Sequence, residues 1–293
     1  MDYELNGQGT TYGNSRMHLW LVRMLKVIPI SALYAFVAVF VVPVCLVVNP
    51  AQRIIYRYFR ERLGMTWWHA GLKTYKNFYL FAQVVIDKFA MYAGKRFRID
   101  IEGYDNFLQL AEREEGFVQL SAHIGNYEMA GYTLRAEKKR VNALVFGGEK
   151  ESVMENRNRM FSKMNIRMIA VKPDMSHLFA INDALADGET ISMPADRLFG
   201  STKSITLPVL GKDAQLPLGP FTLATMRGLD ALAVNVMKTA TTRYKIYVTS
   251  LQYDKQAARS EQTRQLAASY VKELERILTK YPEQWYNYFP FWK

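Results

Sequence analysis

The sequence has few of the residues that disulfide and metal chemistry require. Its single cysteine, Cys45, cannot form an intrachain disulfide, and it lies in an apolar run where packing is the expected role. A structural zinc site takes about four ligands and is usually rich in cysteine. One cysteine and four scattered histidines do not suit such a site. We therefore expect no metal site.

Three common catalytic and cofactor motifs are also absent from the 293 residues. There is no dinucleotide-binding G-x-G-x-x-G, no phosphate-binding P-loop and no G-x-S-x-G nucleophile elbow. Internal repeats and low-complexity linkers are missing as well. No cofactor is expected, and a serine-hydrolase mechanism has no motif in its favour.

Acidic residues are outnumbered, with 27 Asp and Glu against 38 Lys and Arg, giving a net charge of +11 and a pI near 9.5. A basic surface suits nucleic acid, anionic lipid headgroups or an acidic protein. Several arginines cluster just after an apolar N-terminal run, and no nucleic-acid recognition motif is present. The positions of the charges therefore favour an anionic membrane surface, and nucleic acid is not an expected partner.

Residues 28–48 contain no charged side chain. A membrane-spanning helix needs about 20 mostly apolar residues, and the apolar core of a signal peptide is shorter. This run predicts an N-terminal membrane anchor, with the following arginines favouring a cytoplasmic position for the rest of the chain. A buried core helix, or two short helices broken at Pro29 and Pro43, remains the alternative.

The rest of the chain divides into two further segments. Residues 53–95 mix aromatic side chains with lysines in a helical pattern, which suits a membrane interface or an ordinary helical pair. From residue 96 onward, short strands alternate with amphipathic helices. We predict an α/β fold with a mixed sheet flanked by helices. The predicted organisation is a tail and anchor at 1–52, a helical interface segment at 53–95 and an α/β domain at 96–293.

The stretch LSAHIGNYEMAG holds the strongest candidate catalytic residues. His123 ends a predicted strand, Gly125 and Asn126 form a turn, and Glu128 lies in the first turn of the next helix. A neutral imidazole can act as a general base, and a carboxylate on its other nitrogen fixes the tautomer. Backbone N–H groups at the helix N-terminus could bind a developing oxyanion. The spacing alone does not distinguish this dyad from a structural histidine.

Comparison with known motifs supports the catalytic interpretation. SAHIGNYE is similar to the H-x4-D/E motif of glycerolipid-type acyltransferases. The whole chain resembles the bacterial lipid A biosynthesis acyltransferases, the lauroyl and myristoyl transferases. Matching blocks follow in the same order: an N-terminal membrane segment, the His123–Glu128 motif, PADRLFG, SITLPVLG with LGPFTLATMRG, and YPEQWYNYFPFW.

The resemblance implies a glycerolipid-acyltransferase-like fold and transfer of a fatty acyl chain. The donor would be an acyl thioester, on acyl carrier protein or coenzyme A, and the acceptor a hydroxyl or amine of a membrane lipid or glycolipid. The location would be the bacterial inner membrane, with the catalytic domain on the cytoplasmic side. His123 would be the base, with Glu128 orienting it. The residues expected to bind substrate are Asp196, Arg197, Asn126 and Arg159, the last within a basic stretch at 156–159.

One departure from the family pattern concerns the acceptor. The family typically carries a His-Arg-Arg run after the P-E-Q block, whereas this chain reads Tyr288-Phe289-Pro290-Phe291-Trp292. Loss of those cations favours an acceptor less anionic than lipid A, such as an aminolipid, an aryl-polyene-type lipid or another glycolipid. A lipid hydrolase using the same dyad and a non-catalytic lipid-binding protein remain alternative functions.

Overall fold

Strands and helices alternate along the second part of the chain, as the apolar pattern predicts. The computed structural model describes residues 23–134, 139–146, 165–172, 174–198 and 203–292. Its strands are β1 (Arg98–Glu102), β2 (Val118–Ser121), β3 (Val141–Phe146), β4 (Ile166–Val171), β5 (Thr190–Pro194), β6 (Ser204–Val209), β7 (Lys212–Pro217), β8 (Ala231–Ala240) and β9 (Arg243–Leu251). The helices are α1 (Ile30–Val48), α2 (Ala51–Arg57, continued by a wider turn over Tyr58–Arg62), α3 (Trp67–Tyr92), α4 (Tyr104–Ala111), α5 (Glu128–Thr133), α6 (His177–Ala186), α7 (Leu218–Met226) and α8 (Arg259–Lys280).

Seven strands form the main sheet, in the order β1-β9-β8-β2-β5-β3-β4. All neighbouring strands in it are parallel except β8 and β9, which form an antiparallel hairpin. Strands β6 and β7 form a separate antiparallel pair. The predicted mixed sheet flanked by helices is confirmed.

Helices cover both faces of this sheet. On β8 the side chains of Leu232, Val234 and Val236 face α4 and α5, in a cluster with Phe107 and Met129. The intervening residues Ala231, Ala233 and Met237 belong to the larger core on the other face, which includes α8. A strand buried on both faces must be apolar nearly throughout, and the first eight residues of β8 are all buried.

Helix α1 is the apolar run predicted as a membrane anchor, and it is continuous across Pro43. Its turns over Val37–Val41 widen to π-helical geometry just before this proline. Proline has no N–H and its ring clashes with the carbonyl four residues back, so a wider turn relieves both problems. Pro43 therefore lies within one helix, whereas the chain is interrupted at Pro29, which separates α1 from a short helical stretch at 23–27.

Helix α3 packs between the N-terminal helices and the sheet. Its Tyr75 hydroxyl donates to the backbone oxygen of Ala38 in α1, at 2.7 Å. On the other side, the Lys73 and Lys76 ammonium groups bind the Glu283 carboxylate near the end of the chain. The division of the chain at residues 52 and 95 stays a prediction, although α1 and α3 both contact the part that follows.

Candidate active site

Two adjacent parallel strands bring His123 and Asp196 together. Strands β2 and β5 pair in register, with Ser121 opposite Pro194, and each functional side chain follows two residues later. His123 Nδ1 lies 2.7 Å from Asp196 Oδ1. The His123 backbone N–H donates to Asp196 Oδ2 at 2.9 Å. The carboxylate therefore holds both the ring and the backbone of the same histidine.

The surroundings of the fully buried Asp196 side chain favour its ionised form. Burial alone raises the pKa of a carboxyl group, but the adjacent His123, its hydrogen bonds and the Arg197 guanidinium together lower the pKa of Asp196 below its ordinary value. An ionised carboxylate at Nδ1 favours the tautomer with the proton on that nitrogen. The basic lone pair of a neutral His123 is then on Nε2.

The His123 side chain reaches the protein surface, with 16% of its area exposed. The Tyr127 ring packs edge-on against it, with the ring centroids 5.7 Å apart, and Tyr127 is itself 43% exposed. The imidazole is thus bound at Nδ1 by a buried carboxylate, and part of its ring reaches the surface beside an aromatic ring. This arrangement suits a base that acts on a substrate arriving from outside.

Glu128 opens helix α5, five residues after His123. Its Oε1 forms an ion pair with the Lys88 ammonium of α3 at 2.6 Å, and its side chain is 12% exposed. This ion pair connects α5, the helix that follows the histidine loop (residues 123–126), to α3. The carboxylate hydrogen-bonded to His123 Nδ1 belongs to Asp196. That Glu128 orients the imidazole stays a prediction, and Asp196 is the alternative residue for this role.

The loop at residues 123–126 is closed by backbone hydrogen bonds to the end of the chain and to β8. The Gly125 N–H donates to the Gln284 oxygen at 2.8 Å, and the Tyr286 N–H donates to the His123 oxygen at 2.9 Å. The Asn126 N–H donates to the Val236 oxygen at 2.8 Å. The N–H groups of residues 125 and 126 are therefore engaged within the protein, rather than aimed at an oxyanion.

Gly125 is required where this loop crosses β8. Its φ is +56°, and a Cβ atom placed on it would lie 1.9 Å from the Val236 carbonyl oxygen. Only glycine combines this left-handed conformation with such a close approach of two backbones. The glycine between His123 and Glu128 thus has a steric origin.

The other predicted substrate-binding residues lie at different depths. The Arg197 guanidinium donates to the Tyr286 oxygen at 2.7 Å and lies 5.1 Å from the Phe289 ring centroid. Burial lowers the pKa of Arg197, while the charge of Asp196 opposes that shift. Asn126 is 3% exposed. Arg159 and the rest of the stretch 156–159 lie outside the described residues.

Sequence reasoning missed three residues that build the site: Lys88, Gln284 and Tyr286. The only signal for the last two was the Y-P-E-Q-W-Y block at 281–286, which contains them. Gln284 also clamps β8, because its side chain accepts from the Lys238 N–H at 2.8 Å and donates to the Lys238 oxygen at 2.7 Å. Nothing in the pattern around Lys88 distinguishes it from the other lysines of α3.

The described residues contain no cluster of three or more His, Cys, Asp or Glu side chains that could hold a metal ion. The chemistry available at the strand ends is that of an oriented imidazole next to a buried carboxylate. A neutral imidazole oriented in this way, at the carboxyl edge of the central strands, is a group that can accept the proton of a hydroxyl or an amine.

The family follows from comparison with known proteins. The family model described as bacterial lipid A biosynthesis acyltransferase matches residues 77–293. The chain belongs to this family and is an acyltransferase of lipid biosynthesis. The matched range contains His123, Glu128, Asp196 and the aromatic segment at 281–292, which we call the closing segment, and it leaves out α1.

Two further comparisons accompany this match. No curated protein is similar enough in sequence to be matched. Among solved structures, the 1-acyl-sn-glycerophosphate acyltransferase PlsC from Thermotoga maritima is similar over 92% of this chain and 98% of that chain, with 14% sequence identity and a TM-score of 0.40.

Proposed function

We propose that this acyltransferase moves a fatty acyl chain from an acyl thioester to a hydroxyl or amine of a membrane lipid, with His123 as the general base. The observation that carries the proposal is the pair of contacts between His123 and Asp196, at 2.7 and 2.9 Å. They fix the imidazole at the carboxyl edge of the sheet, with Nε2 as its basic nitrogen. Membership of an acyltransferase family supplies the reaction class.

In the proposed reaction, His123 Nε2 takes the proton of the acceptor O–H or N–H as the acceptor attacks the thioester carbonyl carbon. A new C–O or C–N bond forms, and the carbonyl oxygen carries the negative charge of the tetrahedral intermediate. Collapse of this intermediate breaks the C–S bond, and the imidazolium returns its proton to the leaving thiolate. Base and acid are the same side chain, so His123 ends the cycle neutral.

Asp196 is the better-placed residue to orient His123, and Glu128 acts through Lys88 on the surrounding loop. A buried, ionised carboxylate at Nδ1 stabilises the imidazolium that forms during attack. The Glu128–Lys88 pair instead sets how α5 lies against α3. The alternative assignment, with Glu128 as the orienting residue, is tested by the paired substitutions described in the Discussion.

The donor and acceptor follow from charge and from the closing segment. A basic chain of net charge +11 suits an acidic acyl carrier protein as donor, with coenzyme A as the alternative. After the P-E-Q block the chain places aromatic rings near the site, with Phe81 packing on both Tyr286 and Tyr288. An apolar, aromatic wall favours an acceptor that is less anionic than lipid A.

The proposed location is the bacterial inner membrane, with the sheet on the cytoplasmic side.

The test is acyl transfer by the purified wild type and the His123→Ala variant. Radiolabelled acyl carrier protein serves as donor and a total lipid extract of the host as acceptor. A labelled lipid is expected with the wild type and with a His177→Ala control, and none with His123→Ala. Labelled lipid from His123→Ala at the wild-type rate would reject the mechanism. Free fatty acid without a lipid product would indicate the hydrolase. A thioester left intact, with acyl carrier protein and with coenzyme A as donor, would indicate a lipid-binding protein.

A further inference from the structure

Helix α1 is long and apolar enough to cross a membrane, with 19 residues and a mean hydropathy of 2.6. A rise of about 1.5 Å per residue makes it roughly as long as the hydrocarbon core is thick. Length does not distinguish a helix that crosses the bilayer from one that lies in its plane. The contacts of its two ends with the rest of the protein do distinguish them.

The first turns of α1 are fixed to the sheet by a buried polar cluster. The Tyr34 hydroxyl donates to the Asp87 carboxylate of α3 and is 4% exposed. The Lys238 ammonium of β8 donates to the same carboxylate, and lies 3.0 Å from the Tyr34 oxygen. Strand β8 is central in the sheet, so the beginning of α1 contacts the body of the α/β fold.

The last turns of α1 are fixed to the same body. Val42 is 1% exposed and belongs to the core that includes Trp285 of the closing segment. In the turn that continues α2, the Tyr58 ring packs edge-on against the Trp285 ring, with centroids 5.2 Å apart, and stacks on the Trp292 ring at 6.1 Å. Both ends of α1 are thus attached to the α/β body, and a perpendicular crossing would draw the sheet into the bilayer.

The opposite side of α1 is an exposed apolar surface, which we call the outer face. Its spacing of three and four residues places these side chains on one stripe of the helix. The outer face comprises Phe36, Val39, Phe40, Val44, Val47 and Val48, each between 54% and 87% exposed.

A basic stripe continues from the outer face along α2. Arg53, Arg57 and Arg60 follow at intervals of four and three residues, all exposed, beside a shallow groove of about 640 Å³. Within the described part of the chain, Arg53 and Arg57 form no ion pair with an acidic side chain. Trp67 and Trp68, 68% and 57% exposed, begin α3 nearby. In a lipid leaflet, apolar side chains lie among the acyl chains, aromatic side chains at the interface and cationic side chains at the headgroups. The outer face, the two tryptophans and the α2 arginines supply these three kinds of side chain.

We propose that α1 does not cross the membrane but lies in its plane, with the outer face in one leaflet and the α2 arginines on anionic headgroups. The proposal rests on the proposed function, since an enzyme that acylates a membrane lipid has to meet a leaflet. Consecutive residues of α3 make the connection to the site: Asp87 binds Tyr34 of α1, and Lys88 binds Glu128 behind the histidine loop. Helix α3 therefore connects α1, which would contact the leaflet, to the histidine loop.

Labelling of single cysteines on the full-length protein tests the arrangement, because Cys45 is the only native cysteine. In a Cys45→Ala background, Lys26→Cys places a thiol just before α1, and Thr242→Cys places one in the exposed β8–β9 turn. Both are treated with a membrane-impermeant maleimide, in sealed inverted inner-membrane vesicles and in spheroplasts. An in-plane α1 predicts that both thiols react from the same side, and a crossing helix predicts opposite sides.

Reaction from opposite sides overturns the proposal, and so does a protein that stays in solution when the vesicles are sedimented. Reaction from the same side, with the protein sedimenting with the vesicles, supports it. Acyl transfer by the same two variants is measured separately in detergent with labelled donor and lipid extract. Transfer with opposite-side labelling rejects only the in-plane helix, and same-side labelling without transfer rejects only the proposed function.

Discussion

The proposed chemistry of the site depends more on the Asp196 side chain than on any other neighbour of His123. Its charge is kept in a fully buried position by His123, by the His123 backbone N–H and by Arg197. Removing the charge while keeping the shape would leave the imidazole free to adopt the other tautomer. This makes Asp196 and Glu128, two carboxylates near one histidine, separable by experiment.

We predict that Asp196→Asn lowers kcat by about 10²–10⁴-fold with a small change in KM, because general-base catalysis is lost while substrate contacts remain. Glu128→Gln should cost less, since Oε1 of Glu128 binds Lys88 rather than His123 Nδ1. Steady-state kinetics over a range of acyl-thioester concentrations measures kcat and KM of both variants, and thermal unfolding shows that both variants are folded. A larger loss for Glu128→Gln would instead assign the orienting role to Glu128.

At the scale of elements, strand order decides what the sequence could predict about the site. The patterns FVQLSAH and TISMPAD each predict a strand that ends in a titratable residue. Because β2 and β5 are separated in sequence by β3 and β4, only the sheet order makes them neighbours. The resemblance placed Asp196 among the functional residues, but its contact with His123 needed the topology.

Helix α1 shows a second limit of sequence reasoning. Its apolar residues occur on all sides, so the periodicity does not tell which side packs on the protein and which faces lipid. The buried side is marked by Tyr34 and Val42, and only Tyr34 has a polar atom that requires a partner. The position of the arginines after α1 predicts a membrane-flanking cluster, and this stays a prediction. That Arg53, Arg57 and Arg60 are all exposed along α2 is seen only in the structure.

We predict that replacing Arg53, Arg57 and Arg60 by Ala weakens binding to vesicles rich in phosphatidylglycerol by roughly 100-fold. Each cation near an anionic surface contributes about 1 kcal/mol, and about 1.4 kcal/mol corresponds to a tenfold change. Vesicle sedimentation at low ionic strength measures the loss, which should shrink in high salt. A matched variant lacking Arg259, Arg264 and Lys272, three exposed cations of α8, should bind as the wild type does. Equal losses in both variants would point to net charge rather than this stripe.

At the scale of the whole molecule, the cluster of Asp87 and Lys238 joins three layers: the N-terminal helix, α3 and the sheet. Both side chains are at least 95% buried, and the Tyr244 hydroxyl also donates to Asp87. Burial raises the pKa of Asp87 and lowers that of Lys238, against the attraction between them. Such a pair adds little net stability, but removing one partner leaves an uncompensated buried charge.

We predict that Lys238→Met lowers the free energy of unfolding by about 3–5 kcal/mol, because Asp87 loses its counter-charge. The double variant Asp87→Asn with Lys238→Met should recover a large part of that loss. Urea unfolding in detergent micelles, followed by tryptophan fluorescence, measures both changes. A single variant as stable as the wild type would mean that Asp87 is protonated in the folded protein and that the layers are held by other contacts.

The contacts between the histidine loop and the closing segment also determine when, during translation, the loop can reach its final conformation. His123 and Gly125 form their backbone hydrogen bonds with Tyr286 and Gln284, which leave the ribosome long after the loop itself. Until those residues emerge, the loop lacks two of its hydrogen bonds and β8 lacks its Gln284 clamp. The nascent chain therefore contains α1 before the histidine loop has all its hydrogen bonds, so the proposed membrane contact becomes available earlier than the proposed catalytic geometry.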